Sequence, residues 1–198
     1  MYPTPQGTGW IEVICGSMFS GKTEELIRRL RLASYAKRKV AICKPRLDDR
    51  YSEREIVSHN RASLPSYVIV EARQILEHAQ DAEVVGVDEV HFLTPDVVEI
   101  CEDLADAGKR VIVAGLDQDY RGRPFEPMPH LMAIAEYVTK VHAICVVCGN
   151  PANRSQRLVD RSARIVVGAA ESYEARCRRC FERERFGPVQ KPLPLDKK

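Results

Sequence analysis

Gly16-Ser-Met-Phe-Ser-Gly21-Lys22-Thr23 lies between the apolar run Trp10-Ile-Glu-Val-Ile-Cys15 and an amphipathic stretch, Thr23–Tyr35, that carries Leu26, Ile27, Leu30 and Ala33 on one face. The octapeptide fits G-x-x-x-x-G-K-[ST], and a strand before it with a helix after it is the context that template requires. Its glycines let the backbone close around phosphate oxygens. The N–H groups of Gly16, Ser17, Met18, Phe19, Ser20 and Gly21, with the positive end of the helix that follows, then face an anion. Lys22 adds a point charge at the β and γ phosphates of ATP, and the Thr23 hydroxyl is a ligand for Mg2+. An ordinary glycine turn before a helix is the bland alternative, and both flanks argue against it.

Outward from this loop, apolar runs alternate with helical patterns. Strands are predicted at Val40–Cys43, Val68–Val70, Val84–Val87, Val111–Ala114 and Val138–Val141, and helices at Ala72–Ala79, Pro95–Ala107 and Leu131–Ala135. Short Val- and Ile-rich strands that do not alternate predict a parallel sheet covered on both faces, hence an α/β domain. Two polar intervals interrupt the rhythm, Lys44–Ser66 and Asp117–Pro129, and loops of that length in a compact domain are functional or mobile. The strand Val84–Val87 runs into Asp88-Glu89 at the carboxyl edge, where open α/β sheets bind ligands. Asp88 reads as the second carboxylate of the magnesium site. Glu89 reads either as a general base for an attacking hydroxyl or as a group that orients water. The first role makes a kinase and the second a hydrolase; a solvated loop residue is the bland alternative.

Past Val141 the pattern changes to a cysteine-bounded lobe. Cys145-Val-Val-Cys148 and Cys177-Arg-Arg-Cys180 are two C-x-x-C knuckles suited to four thiolates around one tetrahedral Zn2+, which leaves no open coordination position and makes the metal structural. Two independent redox dithiols are the alternative, but in a reducing compartment such paired spacings favour metal. The organisation is therefore a P-loop nucleotide-binding domain over 9–143, a zinc-binding lobe over 144–182 and a loosely ordered, proline-bearing tail over 183–198. Cys15, Cys43 and Cys101 sit singly among apolar residues and read as core. Among the histidines only His91 stands out, because it follows Asp88-Glu89.

Composition excludes some classes of function. With 30 basic and 28 acidic residues in 198 the net charge is +2, which provides no field to attract nucleic acid or membrane. Arg176, Arg178, Arg179, Arg183 and Arg185 alternate with Glu174, Glu182 and Glu184 and read as a solvated mixed-charge surface. No stretch approaches the ~20 apolar residues of a membrane span, and Met1–Gly9 lacks an apolar signal segment, so the expected location is the cytoplasm.

Taken in order, these motifs resemble the type II thymidine kinases from about Gly9 to Phe181. The resemblance is carried by Gly16–Thr23, Asp48-Asp-Arg-Tyr51, Asp88-Glu-Val-His-Phe92, Ala114-Gly-Leu-Asp-Gln-Asp-Tyr-Arg-Gly-Arg-Pro-Phe125 and the two knuckles. It implies a RecA-like P-loop domain with a mostly parallel sheet, plus a small zinc-ribbon lobe carrying a lasso loop. The implied reaction is transfer of the γ-phosphoryl group of ATP to the 5′-hydroxyl of thymidine, with deoxyuridine as a further acceptor, to give dTMP. Glu89 matches the family's catalytic base. Asp48, Asp49 and Arg50, with Asp88, Val90 and His91, join the phosphate loop in handling ATP and Mg2+. The thymine ring is implied to lie against Phe92, Tyr120 and Phe125, with Met18 and Leu116 around them. Arg164, Ile165, Val166, Val167 and Gly168, with Tyr173, match the lasso that closes over the base, and zinc at Cys145, Cys148, Cys177 and Cys180 pins both its ends. The family further implies a homotetramer and feedback inhibition by dTTP, with no nucleic-acid or membrane partner.

This chain departs from many relatives on the nucleoside side. It has His91, Phe92 and Leu93 where Gln and two aromatics are frequent, Tyr120 for Phe, Glu126 for Gly, and Arg164 for a small apolar residue. Every phosphate-handling group is in place. Two other readings stay open from the residues: an ATPase in which Glu89 orients water, and a zinc-ribbon module that binds nucleic acid and uses ATP as a switch. The aromatic-bearing loop Asp117–Phe125 favours a small-molecule acceptor over both, since neither needs stacking groups beside its phosphates.

Overall fold

Strands that are apolar on both faces must be covered on both faces, and the parallel sheet meets that demand. The computed structural model describes residues 5, 7–46, 55–57, 63–158 and 172–182. Its main domain runs β1 (Trp10–Cys15), α1 (Lys22–Tyr35), β2 (Val40–Pro45), β3 (Glu55–Val57), β4 (Ser63–Pro65), β5 (Tyr67–Ile69), α2 (Gln74–His78) and β6 (Val84–Val87). It continues with a 3-10 turn at Val90–Phe92, then α3 (Val97–Asp106), β7 (Arg110–Gly115), α4 (Met128–Ile134) and β8 (Tyr137–Lys140). Six strands form one sheet in the order β5-β2-β6-β7-β1-β8, and every neighbouring pair is parallel.

Side chains sort by strand alternation. Ile11, Val13 and Cys15 of β1 join Val85, Val87, Val111 and Val113 in a core shared with Val97, Ile100, Cys101 and Leu104 of α3. Ile14, Ile42, Val84, Ile112 and Ala114 face the other way, onto Leu26, Ile27, Leu30 and Ala33 of α1. α1 lies so close to the sheet that a Cβ at Gly86 would stand 2.7 Å from Leu30 Cδ1. Cys15, Cys43 and Cys101 are all buried in the first core, as expected from their apolar neighbours.

The interval Lys44–Ser66, read from the sequence as one irregular polar loop, contains an antiparallel hairpin: Glu55, Ile56 and Val57 of β3 pair with Pro65, Leu64 and Ser63 of β4. Three-residue strands are too short to show a periodicity, which is why the sequence hides them. Leu64 packs against the α1-side core. Asp48, Asp49 and Arg50 lie outside the described residues, as do Arg164, Ile165, Val166, Val167, Gly168 and the tail 183–198. The remaining strands, β9 (Ala143–Ile144), β10 (Pro151–Ala152), β11 (Arg154–Arg157) and β12 (Tyr173–Arg176), form two antiparallel ribbons, β9 with β10 and β11 with β12. Among the described residues no helix is long and apolar enough to cross a membrane.

A buried carboxylate lies within the sheet. Glu12 of β1 points to the α1 side, where its Oε2 accepts from Arg29 Nη1 at 2.7 Å and its Oε1 accepts from Arg110 Nε at 2.6 Å and Trp10 Nε1 at 2.8 Å. Arg29 also donates to Thr139 Oγ1 at 2.9 Å, so one network ties α1 to β1, β7 and β8. Burial opposes the charge on Glu12, but the bonds from Arg110, Trp10 and Arg29 outweigh it and hold the carboxyl below its ordinary value of 4.5. A depressed folded value contributes stability that is complete above 4.5 and disappears as pH falls through the folded value. Glu12→Gln is expected to cost about 1–3 kcal/mol at neutral pH. Denaturant unfolding should also show a flatter stability profile below pH 4.5 than in the wild type.

Candidate functional site

Parallel strands bring their carboxyl ends to one edge, and in register: Cys15 of β1 stands opposite both Gly115 of β7 and Lys140 of β8. The phosphate loop leaves the sheet there. Gly16 has φ 148°, and a Cβ on it would lie 2.3 Å from the Val141 carbonyl, so only glycine lets the chain turn at that point. Gly21, at φ 83°, is the left-handed residue that starts α1. The buried Lys22 folds back and donates from Nζ to the Ser17 carbonyl at 2.8 Å, which Ser20 Oγ also reaches at 2.7 Å. Both donors therefore sit within the loop they would share with an anion.

Thr23 Oγ1 donates to Asp88 Oδ2 at 2.9 Å, and Asp88 Oδ1 accepts the Glu89 N–H at 3.0 Å. Glu89 is held at φ 50°, ψ 37°. A left-handed non-glycine residue costs on the order of 1–3 kcal/mol and is typical of functional turns. This turn brings Glu89 Oε2 to 3.5 Å from His91 Nε2. Val90 directs its side chain into the α3-side core, while His91 is buried with its ring centroid 4.2 Å from that of Phe92 and 4.9 Å from that of Phe125.

Phe125 closes a loop that begins where β7 ends. Its N–H donates to the Asp117 carbonyl at 3.2 Å, and Asp119 Oδ1 accepts the N–H groups of Arg121 at 2.9 Å and Arg123 at 3.0 Å. Asp117 Oδ2 is also paired with Lys140 Nζ at 2.6 Å, which clips the loop to β8. With Asp117 beside it, buried Cys15 is pushed up to about 11, burial being the larger cause. Tyr120 faces the cysteine lobe: the guanidinium carbon of Arg157 lies 3.5 Å from its ring centroid, and Arg157 Nη2 reaches Tyr173 Oη at 3.3 Å.

The lobe itself brings the four predicted cysteines together, with all four Sγ atoms within 4.8 Å of one another. Cys148 Sγ is 3.6 Å from Cys177 Sγ and 3.5 Å from Cys180 Sγ, and all four thiols are free. Zn–S bonds of about 2.3 Å give a tetrahedron with edges of about 3.8 Å, so this set fits zinc. Burial opposes ionisation of Cys145, yet the backbone N–H groups of Cys177, Val147 and Cys148 bring it down to about 6. Cys180 is pushed up to about 12, first by its bond with Cys148. A divalent cation among the sulfurs removes that mutual penalty. The lobe also touches the phosphate loop: Ser155 Oγ accepts the Met18 N–H at 3.0 Å, and Phe19 packs against Cys145 and its neighbours.

The family profile described as thymidine kinase matches residues 9–181. A thymidine kinase of Rhodothermus sp. (strain ITI 518) is 63% identical over 177 residues, which cover 89% of this chain and 83% of that protein. The chain belongs to the thymidine kinase family. Among solved structures it matches a DNA replication initiation factor at TM-score 0.40 and 15% identity, and AMPPCP-bound DnaA from Aquifex aeolicus at TM-score 0.40 and 16% identity. In both cases 69% of this chain is covered but only 40% and 41% of the other, and a likeness that distant carries no argument about the site.

In this member of the thymidine kinase family, the phosphate loop, Asp88, Glu89, His91, Phe92, Leu116 and Phe125 gather at the carboxyl edge of the sheet. Tyr120 and Tyr173 meet on Arg157 at its rim. The sequence did not single out Ser155, Arg157 or Lys140, nor the ion pair of Asp117, because each acts on a segment far away in the chain. Only the knuckle spacing, which puts Ser155 and Arg157 between the two cysteine pairs, hinted at those two residues. Atomic absorption should find a single zinc ion per chain, and Cys177→Ser should lose most of it. A loss of even about 2 kcal/mol would lower the melting midpoint by roughly 4–8 °C in a chain of this size.

Proposed function

We propose that this chain phosphorylates thymidine at its 5′-hydroxyl, using ATP as donor and releasing dTMP and ADP. The observation that carries the reading is the Thr23–Asp88 hydrogen bond, which ties the phosphate loop to the strand end where Glu89, the next residue, stands beside the aromatic group of His91, Phe92 and Phe125. Membership of the thymidine kinase family names the acceptor class.

In this reading the N–H groups of Gly16–Gly21 and the Lys22 ammonium hold the triphosphate, and the family resemblance adds Asp48, Asp49 and Arg50 to the groups that handle it. Mg2+ bound at Thr23 and Asp88 would supply charge neutralisation at the β and γ oxygens. Glu89 accepts the 5′-hydroxyl proton as the O5′–Pγ bond forms and the bond from Pγ to the bridging oxygen breaks, leaving the electron pair on ADP. Because the phosphoryl transition state is loose, positioning and charge account for most of the acceleration. The thymine ring lies between Phe92, Phe125 and Tyr120, with Met18 and Leu116 at its edges. Tyr173 and the segment Arg164–Gly168 cover it and exclude water, the rival acceptor. Zinc bound at Cys145, Cys148, Cys177 and Cys180 would fix the two ends of that segment and so lower the entropy lost on closure. The division into a kinase domain over 9–143, a zinc lobe over 144–182 and a tail, a cytoplasmic homotetramer, and inhibition by dTTP belong to the same proposal.

The test is incubation with Mg-ATP and each of thymidine, deoxyuridine, deoxycytidine, deoxyguanosine and deoxyadenosine, resolving nucleoside monophosphate from free phosphate. Formation of dTMP is expected; phosphate release that ignores the nucleoside would make the protein an ATPase instead. Glu89→Gln is expected to slow phosphoryl transfer by about 10²–10⁴-fold. Its ATP affinity should stay within about twofold, as measured by equilibrium titration.

A further inference from the structure

His91 has a fully buried side chain in a space that the backbone makes for it: a Cβ on Gly115 would stand 3.2 Å from its Nδ1. Phe92 and Phe125 hold the ring from two sides at 4.2 and 4.9 Å between centroids. Nδ1 accepts the Leu116 N–H at 3.1 Å. A ring nitrogen that accepts a hydrogen bond carries no proton, so the proton of the neutral imidazole is on Nε2. That nitrogen faces Glu89 Oε2 at 3.5 Å.

We propose that His91 is a positioning residue for Glu89: its Nε2–H holds one carboxylate oxygen and so orients the carboxylate that takes the acceptor's proton. The inference rests on the role proposed above for Glu89. Turning the side chain by a few tenths of an ångström brings the 3.5 Å separation into hydrogen-bond range, and such contacts are commonly long before substrate binds. The strained backbone of Glu89 aims the side chain but leaves its outer torsions to rotate, and a donor at Oε2 restricts them. The other end of the ring is bonded to Leu116, where β7 passes into the loop that carries Tyr120 and Phe125. His91 thereby couples the position of the nucleoside loop to the orientation of the carboxylate. This requires a side chain that accepts at one atom and donates at another.

Two amides separate this role from mere packing, because both remove the aromatic ring. Asn places a carbonyl near the position of Nδ1 and still accepts the Leu116 N–H, but its amide does not extend to Glu89. Gln extends an N–H to about the position of Nε2. His91→Asn is expected to lower kcat at least about tenfold, a part of what a positioned base supplies, with the KM for ATP within about twofold. His91→Gln should recover kcat to within about threefold of wild type. Added to Glu89→Gln, His91→Asn should change kcat by less than about twofold, since the two residues act as one unit. Equal losses in the Asn and Gln variants would overturn the proposal, as would a His91→Asn loss that persists unchanged in the Glu89→Gln background. Full turnover in Glu89→Gln alone would remove the base itself and this inference with it. A slow Glu89→Gln beside a fully active His91→Asn removes this inference only.

Discussion

Thr23 and Asp88 are 65 residues apart in the chain, and the bond between their side chains depends on almost everything else in the domain. It requires β1 and β6 to run parallel on either side of β7, so that both end at the same edge. It also requires α1 to sit on the sheet with one rotation, because Thr23 is in its first turn. Leu26, Ile27 and Leu30 set that rotation by burial, and Gly86 lets the helix approach. The Glu12–Arg29 pair then keeps the helix from sliding, since a buried carboxylate left without its cations would be expensive. Apolar packing therefore determines where the helix lies, and a charged network determines its register.

Backbone conformation at the edge converts that alignment into a site. Gly16 turns against the Val141 carbonyl, and Glu89 is held in a left-handed conformation that a glutamate does not adopt by preference. The preceding strand and the Asp88 side chain hold that turn in place, with Asp88 Oδ1 taking the Glu89 N–H. Strain at a single residue is tolerated when the surrounding structure determines its position several times over. Here the determination comes from a fully buried strand on one side and the buried Val90 on the other.

Two clips bring the nucleoside side to the phosphate side. Asp117 and Lys140 fasten the loop after β7 to β8, and β8 in turn lies against β1 at the point where the phosphate loop begins. The cysteine lobe supplies the second, through Ser155 at the Met18 N–H and through Arg157 stacked on Tyr120. Among the described residues its own core is five small ones, Ala143, Cys145, Ala152, Ala175 and Cys177, with Phe19 and Cys180 against them. Small side chains like these bury little apolar area, and a metal held by the four sulfurs would cross-link the two ribbons.

Much of this was legible in the residues. Gly16–Thr23 between an apolar run and an amphipathic one determined the phosphate loop, because the glycines and Lys22 act on their immediate neighbours. The Val-rich strand ending at Asp88-Glu89 determined a parallel sheet with acids at its edge, and C-x-x-C spacing marked the four cysteines that come together, since each of these signals is local. The β3–β4 hairpin escaped because its strands are shorter than any period. The tertiary structure alone decided that Ser155 reaches Met18, that Lys140 pairs with Asp117, that Arg157 lies on Tyr120 and that His91 stands between Glu89 and Leu116. These contacts join segments whose separation in sequence carries no pattern, and they exist only once the sheet has set which strand ends are neighbours.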